Sequence, residues 1–240
     1  MEMIWNVFRQ RINELKLILG LSIGMYLFSQ IMFNIIVRTS KEEETTFALG
    51  SLVMVGVVVF FVLLMGTFGY ATEFNLAIGM GVTRKIFTPA YYLTSVVLLL
   101  IETGVIYLFF LFERWFVQSM FPQLAYEKGI EYLFESKLLF PGILFIAALQ
   151  ILLGVLTLKY GKKAFWGVWV LWMAGCILPS RIEKAMKRGD DSFLAKLGNG
   201  INQFFTHLNS TQGAVCTVIV CAVVLGICFY LSRRQQVSNV

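Results

Sequence analysis

Charged side chains are scarce in this sequence of 240 residues, at 14% against 58% hydrophobic residues. An ordinary globular domain carries about 25% charged residues, which cover its surface. Here the apolar residues also form uninterrupted blocks of bilayer length, which excludes a water-soluble domain and indicates a polytopic membrane protein. The net charge of +6 needs no nucleic acid to explain it, because basic residues gather at the ends of membrane helices.

Residues that carry catalysis or bind metals are also rare. The single histidine, His207, lies between the last two apolar runs, and no predicted span contains an aspartate. This excludes a zinc-hydrolase helix, paired catalytic aspartates or a serine–histidine pair inside the membrane. The four cysteines fall inside apolar runs without metal-ligand spacing, so we expect them to pack as small apolar residues. We therefore expect no enzyme and no bound metal.

Six apolar runs predict an all-α fold with six transmembrane helices in one membrane domain over residues 1–240. The predicted spans are Leu17–Val37, Phe47–Tyr70, Phe87–Phe112, Leu138–Leu158, Ala164–Pro179 and Gly213–Ser232. The fifth has only 16 residues and is marginal, since a span needs about 20 residues. Six spans place both termini on one side, and the short lysine-rich loop Lys159–Lys163 favours the cytoplasm for that side.

Two more helices are predicted outside the spans. Met1–Lys16 has apolar residues at helical spacing, with Arg11 and Glu14 on the other side. That pattern is typical of an amphipathic helix at the membrane interface, although a helix docked on protein fits it equally well. The long outer loop Ser180–Gln212 also follows helical spacing, which predicts a helix in the outer interface between the fifth and sixth spans.

A polar segment, Thr72–Lys85, separates the second and third spans with the sequence TEFNLAIGMGVTRK. It is longer than a minimal hairpin requires and contains an amphipathic stretch, two glycines and a basic end. We interpret it as a cytoplasmic coupling element on which a soluble partner acts. Alternatively, Arg84 and Lys85 only hold the loop at anionic lipid headgroups.

Taken together, the six spans, the amphipathic N-terminal helix, the long second-to-third loop and the helical fifth-to-sixth loop resemble the permease subunits of ABC-2 type exporters. The closest local match is NLAIGMGVTRKIF, Asn75–Phe87, which is similar to a "small-apolar, G-x-[ST]-R-K, aromatic" stretch in permeases of Gram-positive bacteria. The resemblance implies a multi-pass protein of the cell membrane with cytoplasmic termini. It also implies ATP-driven export of an amphipathic peptide, an antimicrobial compound or a lipid-like substrate.

The resemblance further implies partners. Because the sequence has no G-x-x-x-x-G-K-[ST] phosphate loop, ATP and magnesium would bind to two copies of a separate ABC ATPase subunit. A second permease, identical or related, and membrane lipid complete the expected partners. A non-transporting membrane protein, such as a sensor or an assembly factor, is the alternative; it explains the spans but not the elaborate second-to-third loop.

In the family, the second-to-third loop fits a cleft on the ATPase. The resemblance assigns this contact to Glu73, Phe74, Asn75, Leu76, Gly79, Arg84 and Lys85. In this interpretation Phe74 and Leu76 anchor the contact, the charged residues fix its register, and the glycines permit the turn.

Glu102 is the one ionisable side chain well inside a predicted span. Counting along the first and third spans places Gln30 at a similar depth, with Asn34 one turn beyond, so Gln30 and Glu102 are expected to meet if these spans are neighbours. Two interpretations remain open. The pair is either a polar point in a substrate path or a structural hydrogen bond between helices.

Small and aromatic residues suggest packing surfaces. Gly20 and Gly24 form a G-x-x-x-G pattern that lets another helix approach closely, either in a permease dimer or within one subunit. Trp166, Trp169 and Trp172 recur every three residues along the fifth span. They predict packing or interfacial anchoring, or else an aromatic wall of a translocation path.

Overall fold

The computed structural model describes residues 2–39, 45–46, 48–79, 81–122, 125–126, 131–188, 193, 196 and 210–234. Its helices are α1 (Glu2–Thr39), α2 (Leu49–Gly79), α3 (Arg84–Met120), α4 (Ser136–Tyr160), α5 (Lys162–Arg188) and α6 (Ser210–Arg234). A 3-10 turn over Glu131–Phe134 precedes α4. Each predicted span corresponds to one of these helices. An almost entirely helical chain, with six helices long and apolar enough to cross a membrane, is thereby confirmed.

Several helices extend well beyond the apolar runs that predicted them. The 38 residues of α1 run without a break through the predicted boundary at residue 16, and α2 continues past Tyr70 to Gly79. The 27 residues of α5 continue past Pro179, and 24 of them, Lys163–Met186, form a candidate span. The predicted fifth span, Ala164–Pro179, therefore lies within a longer helix. Backbone hydrogen bonds continue a helix through polar residues, so the end of an apolar run does not mark the end of a helix.

The six helices alternate in direction, and α2 and α4 lie at the centre. α2 packs most extensively against α4 and α1, while α4 also contacts α3, α5 and α6. The start of α1, the α2–α3 and α4–α5 turns and the end of α6 share one end of the bundle, which we name the connection end. At the opposite end, strands β1 (Thr45–Thr46) and β2 (Ala125–Tyr126) pair in parallel.

The two central helices approach each other closely at Gly66 and Gly154. A Cβ atom added at Gly154 would lie 2.6 Å from Cγ of Tyr70 and 2.7 Å from the carbonyl oxygen of Gly66. A Cβ atom at Gly66 would lie 2.8 Å from the carbonyl oxygen of Gln150. Only glycine at both positions permits this contact, because an added Cβ would force the two backbones apart.

The predicted helix of the outer loop lies largely outside the described residues. α5 reaches Arg188, and between it and α6 only Phe193 and Lys196 are described. His207 also lies outside the described residues. The outer-loop helix therefore stays a prediction.

Candidate functional site

The predicted coupling segment Thr72–Lys85 is mostly helical. Residues 72–79 form the last two turns of α2, and Arg84 starts α3, so only residues 80–83 connect the two helices. Gly81 has a φ of 85°, in the left-handed region where glycine is favoured. The N–H of Gly81 donates to the carbonyl of Ile78 (3.0 Å), and the N–H of Val82 donates to the carbonyl of Ala77 (2.9 Å). This Schellman cap makes the connection a tight turn.

The seven positions assigned to the ATPase contact divide between two faces of this hairpin. Phe74 is fully buried, and Glu73 is only 9% exposed. The exposed positions are Leu76, Gly79 and Lys85, while Asn75 and Arg84 are half-buried. The anchoring role predicted for Phe74 is therefore corrected, since its ring points into the bundle and reaches no external surface in this arrangement.

Phe74 belongs to an aromatic cluster at the connection end. Its ring packs against Phe87 (centroids 5.5 Å apart) and Tyr70 (6.1 Å), and Tyr70 packs edge-on against Tyr91 (5.0 Å). All four rings are at most 1% exposed. The cluster fastens the last turns of α2 to the first turns of α3, because its members come from both helices.

A chain of hydroxyl groups extends this anchoring to α6. The hydroxyl oxygens of Tyr70 and Thr88 are 3.0 Å apart, and those of Thr88 and Ser232 are also 3.0 Å apart. These groups lie on α2, α3 and α6. A displacement of the α2–α3 turn would therefore disturb hydrogen bonds that join α2, α3 and α6.

Arg11 lies deeper in the bundle and is only 3% exposed. Its Nη1 donates to Oγ of Ser95 (2.7 Å), its Nε donates to Glu14 (3.2 Å), and its guanidinium carbon lies 4.1 Å from the ring centroid of Tyr91. The predicted polar side of the N-terminal helix thus faces the bundle. Over Arg11–Glu14 the structure supports the docked alternative, because polar partners are found between the helices and not in lipid.

Glu102 and Gln150 lie beside this arginine, at 2% and 1% exposure. With Arg11, Glu14 and Ser95 they line a cavity of about 10 Å³ between α1, α2, α3 and α4. Glu73, which is 9% exposed, lies near the end of α2 and extends the group towards the connection end. We name these side chains the buried polar cluster: Arg11, Glu14, Glu73, Ser95, Glu102 and Gln150.

This cavity is too small to form part of an open substrate path. A cavity needs roughly 10–15 Å³ to hold one water molecule. The space at Glu102 therefore admits no peptide or lipid in this arrangement. Of the two interpretations of Glu102, a structural role between helices fits the geometry better than a lining position in an open path.

Gln30 does not meet Glu102; it contacts Glu113. Its Nε2 donates to Oε1 of Glu113 at 2.6 Å. The same carboxylate accepts hydrogen bonds from the N–H of Gly50 and the N–H of Ser51, both at 2.8 Å, and from the Ser51 hydroxyl. Because Gly50 and Ser51 belong to the first turn of α2, Glu113 caps that helix and places a negative charge at its N-terminus.

The predicted meeting of Gln30 and Glu102 is corrected because the register of α1 and α3 differs from the predicted one. Arg11 pairs with Ser95 and Gln30 pairs with Glu113, at sequence offsets of 84 and 83 residues. Glu113 lies eleven residues beyond Glu102, a displacement of about 16 Å along a helix. Asn34 donates to the carbonyl of Gln30 (2.8 Å) within its own helix.

Glu113 was not predicted as a site residue, because the predicted third span ended at Phe112 and Glu113 was assigned to the outer loop that follows. A signal was available, because eleven residues are three helical turns and put Glu113 on the same face of α3 as Glu102. The apolar residues Ile106, Phe110 and Val117 on that face are also buried. A charged residue that continues a buried face is a candidate for a helix cap or an ion pair.

The predicted packing surfaces face outwards. A Cβ atom at Gly20 or Gly24 would meet nothing within 4 Å, so these glycines make no close helix contact in the described part of the chain. Trp166 and Trp169 are 63% and 48% exposed, and the side chain of Trp172 lies outside the described residues. None of the described side chains of α5 is buried.

These observations define the class of protein to which the chain belongs. Six long apolar helices with a lipid-like exterior and polar groups turned inwards indicate a multi-pass α-helical membrane protein. Among the described residues, no group of three His, Cys, Asp or Glu side chains is placed to hold a metal ion. Comparison with protein-family models, with curated proteins and with solved structures gives no match.

Proposed function

We propose that the chain is the membrane-spanning permease subunit of an ATP-driven exporter of the ABC-2 type. Two copies of a separate ATPase would bind ATP and magnesium and act on the connection end, which we place with both termini in the cytoplasm. The cargo class is an amphipathic peptide, an antimicrobial compound or a lipid-like molecule. The chain itself supplies no catalytic group in this proposal.

The geometry of the α2–α3 hairpin carries the proposal. Its outer face presents an apolar side chain, Leu76, at 50% exposure, together with Gly79 and the basic Lys85. An apolar anchor beside a charge is the composition expected of a contact with a soluble protein. Its inner face is locked into the bundle through Phe74 and Tyr70, so a force on the turn is transmitted to several helices.

The exposed faces of α1 and α5 support a partner permease in this proposal. Gly20 and Gly24 are free of contacts in the described part of the chain, and apolar side chains such as Leu17, Leu21 and Phe28 surround them on α1. In the family the first and fifth spans meet at the dimer centre. An open glycine pair on α1 and a peripheral α5 are what such a dimer requires.

Co-purification tests the proposal. The chain is purified from membranes of a cell that makes it naturally, and a nucleotide-binding ATPase is expected in the complex. Leu76→Asp is expected to weaken ATPase binding at least tenfold, because it puts a charge in the apolar contact; tenfold corresponds to about 1.4 kcal/mol.

Lys163→Glu is the matched control, since Lys163 is exposed in the first turn of α5 at the same end of the bundle. It should leave ATPase binding unchanged. A stable wild-type protein that purifies without any ATPase would favour the sensor or assembly-factor alternative. Equal loss of binding in both variants would remove the specific role of the hairpin.

A further inference from the structure

One carboxyl oxygen in the buried polar cluster receives no hydrogen bond from the described residues. Oε2 of Glu102 is buried without a hydrogen-bond partner among the described residues, and so is Oε1 of Gln150, which lines the same cavity. An ionised carboxylate only accepts hydrogen bonds, and so does an amide oxygen. Two buried acceptor oxygens that receive no hydrogen bond are costly, whereas a proton on Glu102 would supply a donor.

The charges of the cluster do not balance when all its carboxyl groups are ionised. α1 contributes Arg11 and Glu14, α2 contributes Glu73, and α3 contributes Glu102 and the phenol of Tyr91, while α4 contributes the uncharged Gln150. Among the described side chains, three carboxylates would then face a single guanidinium. An uncompensated charge inside a membrane bundle is expensive, so the excess must be neutralised.

Glu113, which lies on the same helix as Glu102, has different surroundings. It is equally buried, at 1% exposure, but it accepts hydrogen bonds from Gln30, from two backbone N–H groups and from the hydroxyl of Ser51. Donors surround Glu113, whereas Oε2 of Glu102 has none. The difference in their surroundings, and not burial alone, distinguishes a carboxylate from a carboxyl group that holds a proton.

We propose that the buried polar cluster is a proton-binding centre. Glu102 carries one proton and directs it into the cavity that Gln150 also lines. The centre would hold this proton whatever partner binds the chain.

Infrared spectroscopy of the full-length protein in lipid nanodiscs tests this inference. Protonated carboxyl groups have a C=O stretching band that carboxylates lack, and its shift in D₂O identifies it. The wild-type protein is expected to show this band near neutral pH. Glu102→Gln should remove this band, while Glu131→Gln, at an exposed ion pair, should leave it unchanged.

Glutamine has the shape and neutrality of protonated glutamate, so Glu102→Gln should also unfold at the wild-type temperature. A wild-type protein without the band would overturn the proposal and indicate an ionised carboxylate at Glu102. An undiminished band in Glu102→Gln would overturn it as well. So would a Glu102→Gln variant that is markedly destabilised, because a neutral isostere would then fail to replace the native group.

Discussion

Glu113→Ala is expected to lower the free energy of unfolding by about 3 kcal/mol or more, since each buried polar group left without a partner costs about 1–3 kcal/mol. The substitution removes the acceptor for the N–H groups of Gly50 and Ser51, for the Ser51 hydroxyl and for Nε2 of Gln30. It also removes the negative charge that stabilises the N-terminus of α2. Unfolding in mixed micelles, followed by circular dichroism, measures the change.

The neighbouring residue Arg114 provides the matched control. Its guanidinium forms a 2.8 Å ion pair with Glu131, but its side chain is 44% exposed. Arg114→Ala should therefore cost at most about 1 kcal/mol, as exposed ion pairs do. Equal stability of the two alanine variants would contradict this prediction. Capping of α2 by Glu113 would then stabilise the fold no more than an exposed ion pair does.

Gly154→Ala is expected to destabilise the bundle by about 1–3 kcal/mol, the usual cost of overpacking a tight core. The added methyl group would lie 2.7 Å from the carbonyl oxygen of Gly66 and 2.6 Å from Cγ of Tyr70. Because one of these neighbours is backbone, the substitution must push α4 away from α2. The same unfolding assay measures the loss.

Gly142→Ala, on the same helix, is the control for this prediction. A Cβ atom at Gly142 meets nothing within 4 Å, and alanine is the better helix former by about 0.5–1 kcal/mol. Gly142→Ala should therefore be neutral or slightly stabilising. A Gly154→Ala variant as stable as Gly142→Ala would show that the close approach of the two central helices is not required.

The membrane helices were predictable from the sequence because the length of an apolar run is set by bilayer thickness. Their ends were not, because a helix continues through polar residues when those residues have partners inside the bundle. Glu113 and Glu73 show this directly. Both were assigned to loops, yet one caps α2 and the other is buried in the last turns of α2.

Helix register was the second feature that could not be predicted from the sequence. Gln30 was correctly identified as a polar residue that contacts the third span, but its partner is Glu113 and not Glu102. Depth was counted from the starts of apolar runs, and α1 begins well before its run does. The count for α1 began at Leu17, well after the helix start at Glu2, whereas the count for α3 began at Phe87, close to its start at Arg84. This difference displaces the two counted depths by about three helical turns.

The faces of the α2–α3 hairpin were only partly predictable. Phe74 and Leu76 are both apolar and two residues apart, so composition alone treats them alike. On a helix, however, two residues are about 200° apart, and these side chains take opposite faces. Phe74 is fully buried and Leu76 is half exposed, which leaves Leu76 as the apolar contact available to a partner.

Photo-crosslinking from the hairpin in native membranes tests the central claim most directly. With a photoreactive residue in place of Leu76, we predict a crosslink to a nucleotide-binding ATPase. The same residue in place of Phe74 should give no crosslink to another chain. An absence of any ATPase crosslink from Leu76, or labelling of that position by a membrane-impermeant reagent added outside intact cells, would contradict the account.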